Sequence, residues 1–254
     1  MSSENQASRG CRLRCCTATI IALVALLGSY CCQAQTTLTV SAAASLTDAI
    51  VETESAYKRA HAEIVFANSF GSSGILAAQI DQGAPVDISV PAATKPMDDL
   101  VAKGLIVAGT RCNLLRNKLV LIAPLDSTLH NFQGLTDKSI RAIALGDPAS
   151  VPAGLYGKQT LLSLHLWDQL NAKLVLGKDV RQALTYVETG NADAGLVYAT
   201  DAMTTSKVRV IASAPESTCE PIVYPAAVVK GRQSNTAARM FIDYLASPAA
   251  QAIF

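Results

Sequence analysis

From Thr37 to the end of the chain, short apolar runs of strand length alternate with segments whose apolar residues recur at helical spacing. A strand followed by an amphipathic helix buries both surfaces only where helices cover a sheet. The alternation therefore predicts an α/β architecture with mainly parallel sheets. Thr37–Ser41 reads as a strand, and Leu46–Ala60 as a helix with Leu46, Ile50, Val51 and Tyr57 at its apolar positions. Strand Glu63–Ala67, helix Ile75–Gln82, strand Val86–Val90, a helix around Met97–Lys103 and the strongly apolar strand Leu119–Ala123 follow. The second half repeats the style. Arg141–Leu145 is a strand, Leu155–Leu164 and Val180–Glu188 are helices, and Ala194–Val197, Val208–Ile211 and Ile222–Val229 are strands before a last helix, Ala237–Leu245. No fixed-period repeat and no low-complexity linker interrupts the pattern.

The length of 254 residues suits one large domain or two lobes of about 100 residues each. With 50% hydrophobic and 16% charged residues the chain is not a disordered one. Its 21 basic against 20 acidic side chains exclude broad nucleic-acid binding, which needs clustered Lys and Arg.

Five of the seven cysteines (Cys11, Cys15, Cys16, Cys31 and Cys32) fall in the first 34 residues. Arg9, Arg12 and Arg14 precede the apolar run Thr17–Leu27, and Cys32-Gln33-Ala34 ends in a small residue, the layout of an export signal. Cleavage near Ala34 and a periplasmic location are expected. The uncharged run of 18 residues from Cys15 to Cys32 leaves a retained membrane anchor as the alternative. Neither Cys31 nor Cys32 has the Leu-x-x pattern that precedes a lipidated cysteine. The exported chain would keep Cys112 and Cys219, and an even count in an oxidising compartment predicts a disulfide between them, with two separate buried thiols as the alternative. A metal site is not supported, because His61, His130 and His165 are scattered and no ligand spacing occurs.

The informative places are two strand-to-helix junctions, Ala42-Ala43-Ala44-Ser45 and Ser69-Phe70-Gly71-Ser72-Ser73-Gly74. Each puts small hydroxyl residues where a strand ends and a helix opens, so free backbone N–H groups and the positive end of the helix dipole meet there. Taken singly, such a serine is most often a helix cap. Two in succession at the carboxyl edge of one α/β sheet point to an anion site, and the loops hold no Lys or Arg, so neutral donors would bind it.

Val40-Ser-Ala-Ala-Ala-Ser45-Leu-Thr-Asp-Ala and Ser69-Phe-Gly-Ser-Ser73-Gly resemble the opening motifs of the periplasmic molybdate-binding proteins. Gln82-Gly-Ala-Pro-Val-Asp87, Gly146-Asp-Pro-Ala-Ser-Val-Pro-Ala153-Gly-Leu-Tyr-Gly-Lys158, Asp179-Val180-Arg-Gln-Ala-Leu184, Gly195-Leu-Val-Tyr198-Ala-Thr-Asp201-Ala and Tyr224-Pro-Ala-Ala-Val-Val229 extend the likeness over nearly all of 36–254 in family order. The resemblance implies the two-lobed periplasmic-binding-protein fold, each lobe a mainly parallel sheet flanked by helices, with the ligand in the interlobe cleft. It assigns 35–110 plus 225–254 to one lobe and 111–224 to the other. It implies hydrogen bonds to molybdate or tungstate from Ser45, Ser73, Ala153, Val180 and Tyr198, with Ala153 and Val180 donating through their backbone N–H groups. It implies no cofactor, delivery to the membrane permease and ATPase of an ABC importer, and a monomer. One departure stands out: Ile88-Ser-Val-Pro-Ala-Ala93 replaces the usual stretch after Asp87, and Pro91 has no N–H to donate.

A fully deprotonated tetrahedral dianion only accepts hydrogen bonds, which suits such a donor set. Phosphate near neutral pH carries a proton, and a site for it benefits from a carboxylate that none of the five positions offers. Sulfate, or another tetrahedral oxyanion, is the alternative ligand. The competing class is an enzyme, since Ser55-Ala-Tyr-Lys58 matches the S-x-x-K pattern of penicillin-binding proteins. Neither S-D-N, K-T-G nor G-x-S-x-G accompanies it, and no enzymatic activity is expected.

Overall fold

The computed structural model describes residues 35–231 and 235–254; the expected export signal, 1–34, lies outside them. The strands are β1 (Thr36–Ala43), β2 (Ile64–Gly71), β3 (Ile88–Val90), β4 (Cys112–Arg116), β5 (Leu119–Pro124), β6 (Ile143–Gly146), β7 (Leu174–Gly177), β8 (Ala194–Tyr198), β9 (Val208–Ser213) and β10 (Val223–Val228). The helices are α1 (Thr47–Lys58), α2 (Ser73–Asp81), α3 (Thr94–Ala102), α4 (Pro152–Ser163), α5 (Trp167–Leu170), α6 (Val180–Glu188), α7 (Ala199–Ala202), α8 (Asn235–Leu245) and α9 (Pro248–Gln251).

Two five-stranded sheets form two lobes, in the orders β2-β1-β3-β10-β4 and β7-β6-β8-β5-β9. In the first, β1 runs parallel to β2 and β3, and only β10 is reversed; in the second, β6 runs parallel to β7 and β8, and only β5 is reversed. This is the expected two-lobed, mainly parallel α/β fold. The reversed strand of each sheet adjoins the crossover between lobes, where the chain passes from β4 to β5 and returns from β9 to β10. The two passages touch, with Asn117 N donating to Ile222 O at 3.1 Å.

The central strands are apolar on both faces because helices cover both sides of a parallel sheet. Leu38, Val40, Ile88 and Val90 are fully buried in one lobe, as are Leu121, Ile122, Leu145 and Leu196 in the other. Asp87 ties β1 to the start of β3 by exchange with Thr39: Thr39 N donates to Asp87 Oδ2 at 2.8 Å and Asp87 N donates to Thr39 O at 2.9 Å. The last long helix packs back on the first lobe, where Phe241 lies 4.6 Å from the Phe66 ring and 5.0 Å from the Tyr57 ring. The edge strands β4 and β7 carry no clear strand signal in the sequence. Asn113 and Arg116 in one and exposed Leu176 in the other break the alternation that marks a half-buried strand.

The expected disulfide is not formed: Cys112 and Cys219 are free thiols. Cys112 precedes the apolar run of β5 by seven residues and Cys219 precedes β10 by four, so the bridge would need these strands side by side, whereas β5 pairs with β8 and β9, and β10 pairs with β3 and β4. Cys112 sits opposite Ala226 in the first sheet. Cys219 lies seven residues before Ala226, across the crossover and beside Thr160 of the second lobe. The two thiols thus sit in different surroundings, one on the first sheet and one beside a helix of the second lobe, and no bridge joins them.

Candidate functional site

Four helices begin around one cavity between the lobes. Its empty volume is about 210 Å³, and its lining includes Ser45, Ser73, Ala153, Val180 and Tyr198, all five residues singled out from the sequence. Ser45 lies in the single 3-10 turn, Ala44–Leu46, that joins β1 to α1, and Ser73 is the first residue of α2. Pro152 opens α4 one residue before Ala153, at the position where a missing N–H costs nothing, and Val180 opens α6. First-turn N–H groups have no partner inside their helix, so four sets of backbone donors converge on the cavity.

Close packing makes this convergence possible. A Cβ on Gly154 would collide with the Gly146 carbonyl, so only glycine lets α4 start against the end of β6. The cap of α6 is equally specific, with Gln182 N donating to Asp179 Oδ1 at 2.8 Å. That carboxylate is the one charged side chain in the lining, and it is occupied by its own helix.

The hydroxyls have distinct surroundings. Ser73 Oγ accepts from Ala92 N at 2.9 Å. Pro91 thus costs the site nothing, because the donor is the next residue along. Ser45 Oγ lies 3.1 Å from Tyr224 OH. Tyr198, at the end of β8, is 1% exposed, and its hydroxyl has no hydrogen-bond partner among the described residues. Burial, and then the neighbouring Tyr224, push its pKa well above the usual value, so it stays protonated and remains a donor. An unpaired buried hydroxyl costs roughly 1–3 kcal/mol, which a ligand accepting its proton would recover.

The lobes also touch around the cavity. Ser72 Oγ and Gly74 N both donate to Ser150 O, the latter at 3.0 Å. Arg181, next to Val180, holds buried Asp201 at 2.6 Å through Nε and Asp48 at 2.9 Å through Nη2. Arg181 and Tyr224 fall inside the sequence motifs, which by themselves give neither a role, and Asn117 of the crossover carries no sequence signal. Ser55 of the S-x-x-K match lies on the exposed side of α1 and donates to Val51 O at 2.8 Å, an ordinary helical back-bond. Among the described residues no group of His, Cys, Asp and Glu is arranged to hold a metal ion.

Residues 38–254 match the family described as bacterial extracellular solute-binding protein. The chain is 42% identical to the molybdate-binding protein ModA of Haemophilus influenzae over 238 residues, covering 91% of this chain and 92% of that one. It is 41% identical to the molybdate-binding protein ModA of Escherichia coli over 223 residues, covering 85% and 86%. Among solved structures, the periplasmic molybdate-binding protein of Azotobacter vinelandii superposes with a TM-score of 0.76 at 28% identity, covering 85% of this chain and 95% of that one. Matched by sequence over both lobes and by fold, this chain belongs to the bacterial extracellular solute-binding proteins.

Proposed function

We propose that the exported chain captures molybdate, and tungstate with it, in the interlobe cavity and hands it unchanged to the permease and ATPase of an ABC importer. Ser45, Ser73 and Tyr198 donate through hydroxyls, and Ala153 and Val180 through backbone N–H groups. The reading rests above all on Tyr198, a fully buried donor with no partner among the described residues, in a cavity lined by helix starts and free of cationic side chains. A donor set of this kind suits an oxyanion that has lost every proton. The relatives named for molybdate support the choice among such anions.

Because the five donors come from both lobes, the bound anion favours the closed arrangement, the only one that makes all five contacts. Calorimetric titration of purified 35–254 with molybdate, tungstate, sulfate and phosphate tests the reading. Tight binding of the first two with far weaker binding of the others is expected. Equal affinity for sulfate would overturn it.

A further inference from the structure

A serine hydroxyl has one proton and two lone pairs, so its use to an anion depends on where that proton points. Behind Ser45 lies a row of polar groups outside the cavity lining. Tyr224 OH is 3.1 Å from Ser45 Oγ and 3.2 Å from Asn117 Nδ2. Asn117 Oδ1 accepts from the backbone N–H of Lys118 at 2.8 Å. A backbone amide only donates, which orients Asn117 with its oxygen toward Lys118. Its NH2 group then faces Tyr224 and, at 2.9 Å, Thr200 Oγ1. Tyr224 OH therefore accepts from Asn117. Its own proton, on a side chain 1% exposed, has Ser45 Oγ as its acceptor among the described residues. Ser45 accepts that proton and keeps its own for the cavity.

We propose that Tyr224 and Asn117 are positioning residues for ligand recognition: a directional relay from Asn117 to Tyr224 to Ser45 holds the Ser45 hydroxyl as a donor toward the oxyanion. The proposal rests on the oxyanion reading of the cavity. Ser73 is prepared in the same sense by a shorter route, because Ala92 N donates to it at 2.9 Å. Two hydroxyls held as donors favour oxygens without protons, since a protonated oxygen would face donor against donor. The relay begins at the β4–β5 crossover and passes through β10, so the polarity of Ser45 depends on the arrangement of the hinge.

A double-mutant cycle tests this. Wild type, Tyr224→Phe, Ser45→Ala and the double variant are titrated calorimetrically with sodium molybdate, or with tungstate, sulfate or phosphate where the wild type prefers it. Heat unfolding of each ligand-free protein confirms the fold. Tyr224→Phe is expected to weaken binding about 3- to 10-fold alone and less than about 2-fold in the Ser45→Ala background, because it acts through Ser45. A packing defect would weaken both backgrounds by the same factor, and that result, or unchanged affinity of the single variant, overturns the relay. Asn117→Ala, at a half-buried position, runs the same cycle with Tyr224 intact and decides the matter where Tyr224→Phe does not fold. A wild type that binds none of the four anions overturns the oxyanion reading and the relay together. A wild type that binds while the cycle is additive overturns the relay alone.

Discussion

Arg181 Nη2 lies 2.9 Å from Asp48 Oδ2, joining the first turn of α6 in one lobe to the first turn of α1 in the other, beside the cavity. The same guanidinium donates through Nη2 to Ser45 O at 3.5 Å, so one side chain spans the closed cleft. Asp48 is 68% exposed, and such pairs contribute about 0.2–1 kcal/mol. Asp48→Asn is therefore expected to weaken ligand binding about 1.5- to 5-fold at low salt, with the difference from wild type shrinking at about 0.5 M NaCl. Titrations at both salt concentrations check it, and a salt-independent difference would count against a screened ion pair.

Asp201, fully buried beside Arg181, has its pKa pushed up to about 6 from the ordinary 3.8: burial raises it more than Arg181 lowers it. Between about pH 4 and 6 the folded chain holds this proton while the unfolded chain has lost it. The carboxyl's contribution to stability therefore falls as pH rises through that window and is level above it. The stability of wild type minus that of Asp201→Asn should decline from pH 4 to about 6.5 and then stay constant. Urea unfolding of both proteins across that range checks the sign. A difference that grows with pH would mean that the Arg181 pair outweighs burial.

The donors can be removed one at a time. Ser45→Ala and Ser73→Ala should each weaken molybdate binding about 10- to 150-fold, the worth of one charge-assisted hydrogen bond. Tyr198→Phe should weaken it to a similar extent while raising the melting temperature of the ligand-free protein, because it deletes an unpaired buried hydroxyl. Calorimetry and thermal unfolding of the same preparations would show these opposite shifts. Unchanged affinity in both serine variants would place the ligand elsewhere.

Gly74 separates closure from folding. A Cβ there would stand 2.7 Å from Ser150 O of the other lobe, although Gly74 lies within α2 and alanine favours a helix. Gly74→Ala should leave ligand-free stability equal or slightly higher, yet weaken binding and reduce the compaction expected on binding molybdate. Small-angle scattering with and without ligand checks this. Full compaction in the variant would mean that the lobes close without this contact.

The free thiols make a plain expectation. Reductant should leave the melting temperature of the 35–254 protein unchanged, and mass spectrometry after alkylation under denaturing, non-reducing conditions should find Cys112 and Cys219 both modified. A mass two units lower, with neither alkylated, would restore the bridge.

Much of the architecture is legible in the sequence because it is local. A strand's apolar run and the helical spacing after it act within a few residues, so local pattern suffices to put Ser45 and Ser73 in strand-to-helix junctions and to open a helix at Val180, while the helix read as starting at Leu155 in fact begins at Pro152. The resemblance added Ala153, Val180 and Tyr198 as donors and the grouping of all five. The pairing of strands is not local. β5 and β10 carry similar apolar runs, and nothing local in either names its neighbours; the resemblance put them in different lobes, and the disulfide expectation failed because they are not side by side where the lobes meet. The groups that hold the donors in place are also long-range: Ser45 meets Tyr224 across 179 positions, and Asn117 meets Tyr224 across 107. The sequence alone thus determined which residues could donate, since donor capacity belongs to a residue and its immediate neighbours. Only the tertiary structure decided which of those donors were already satisfied and which still faced the cavity, because that depends on how the two sheets pack at the crossover.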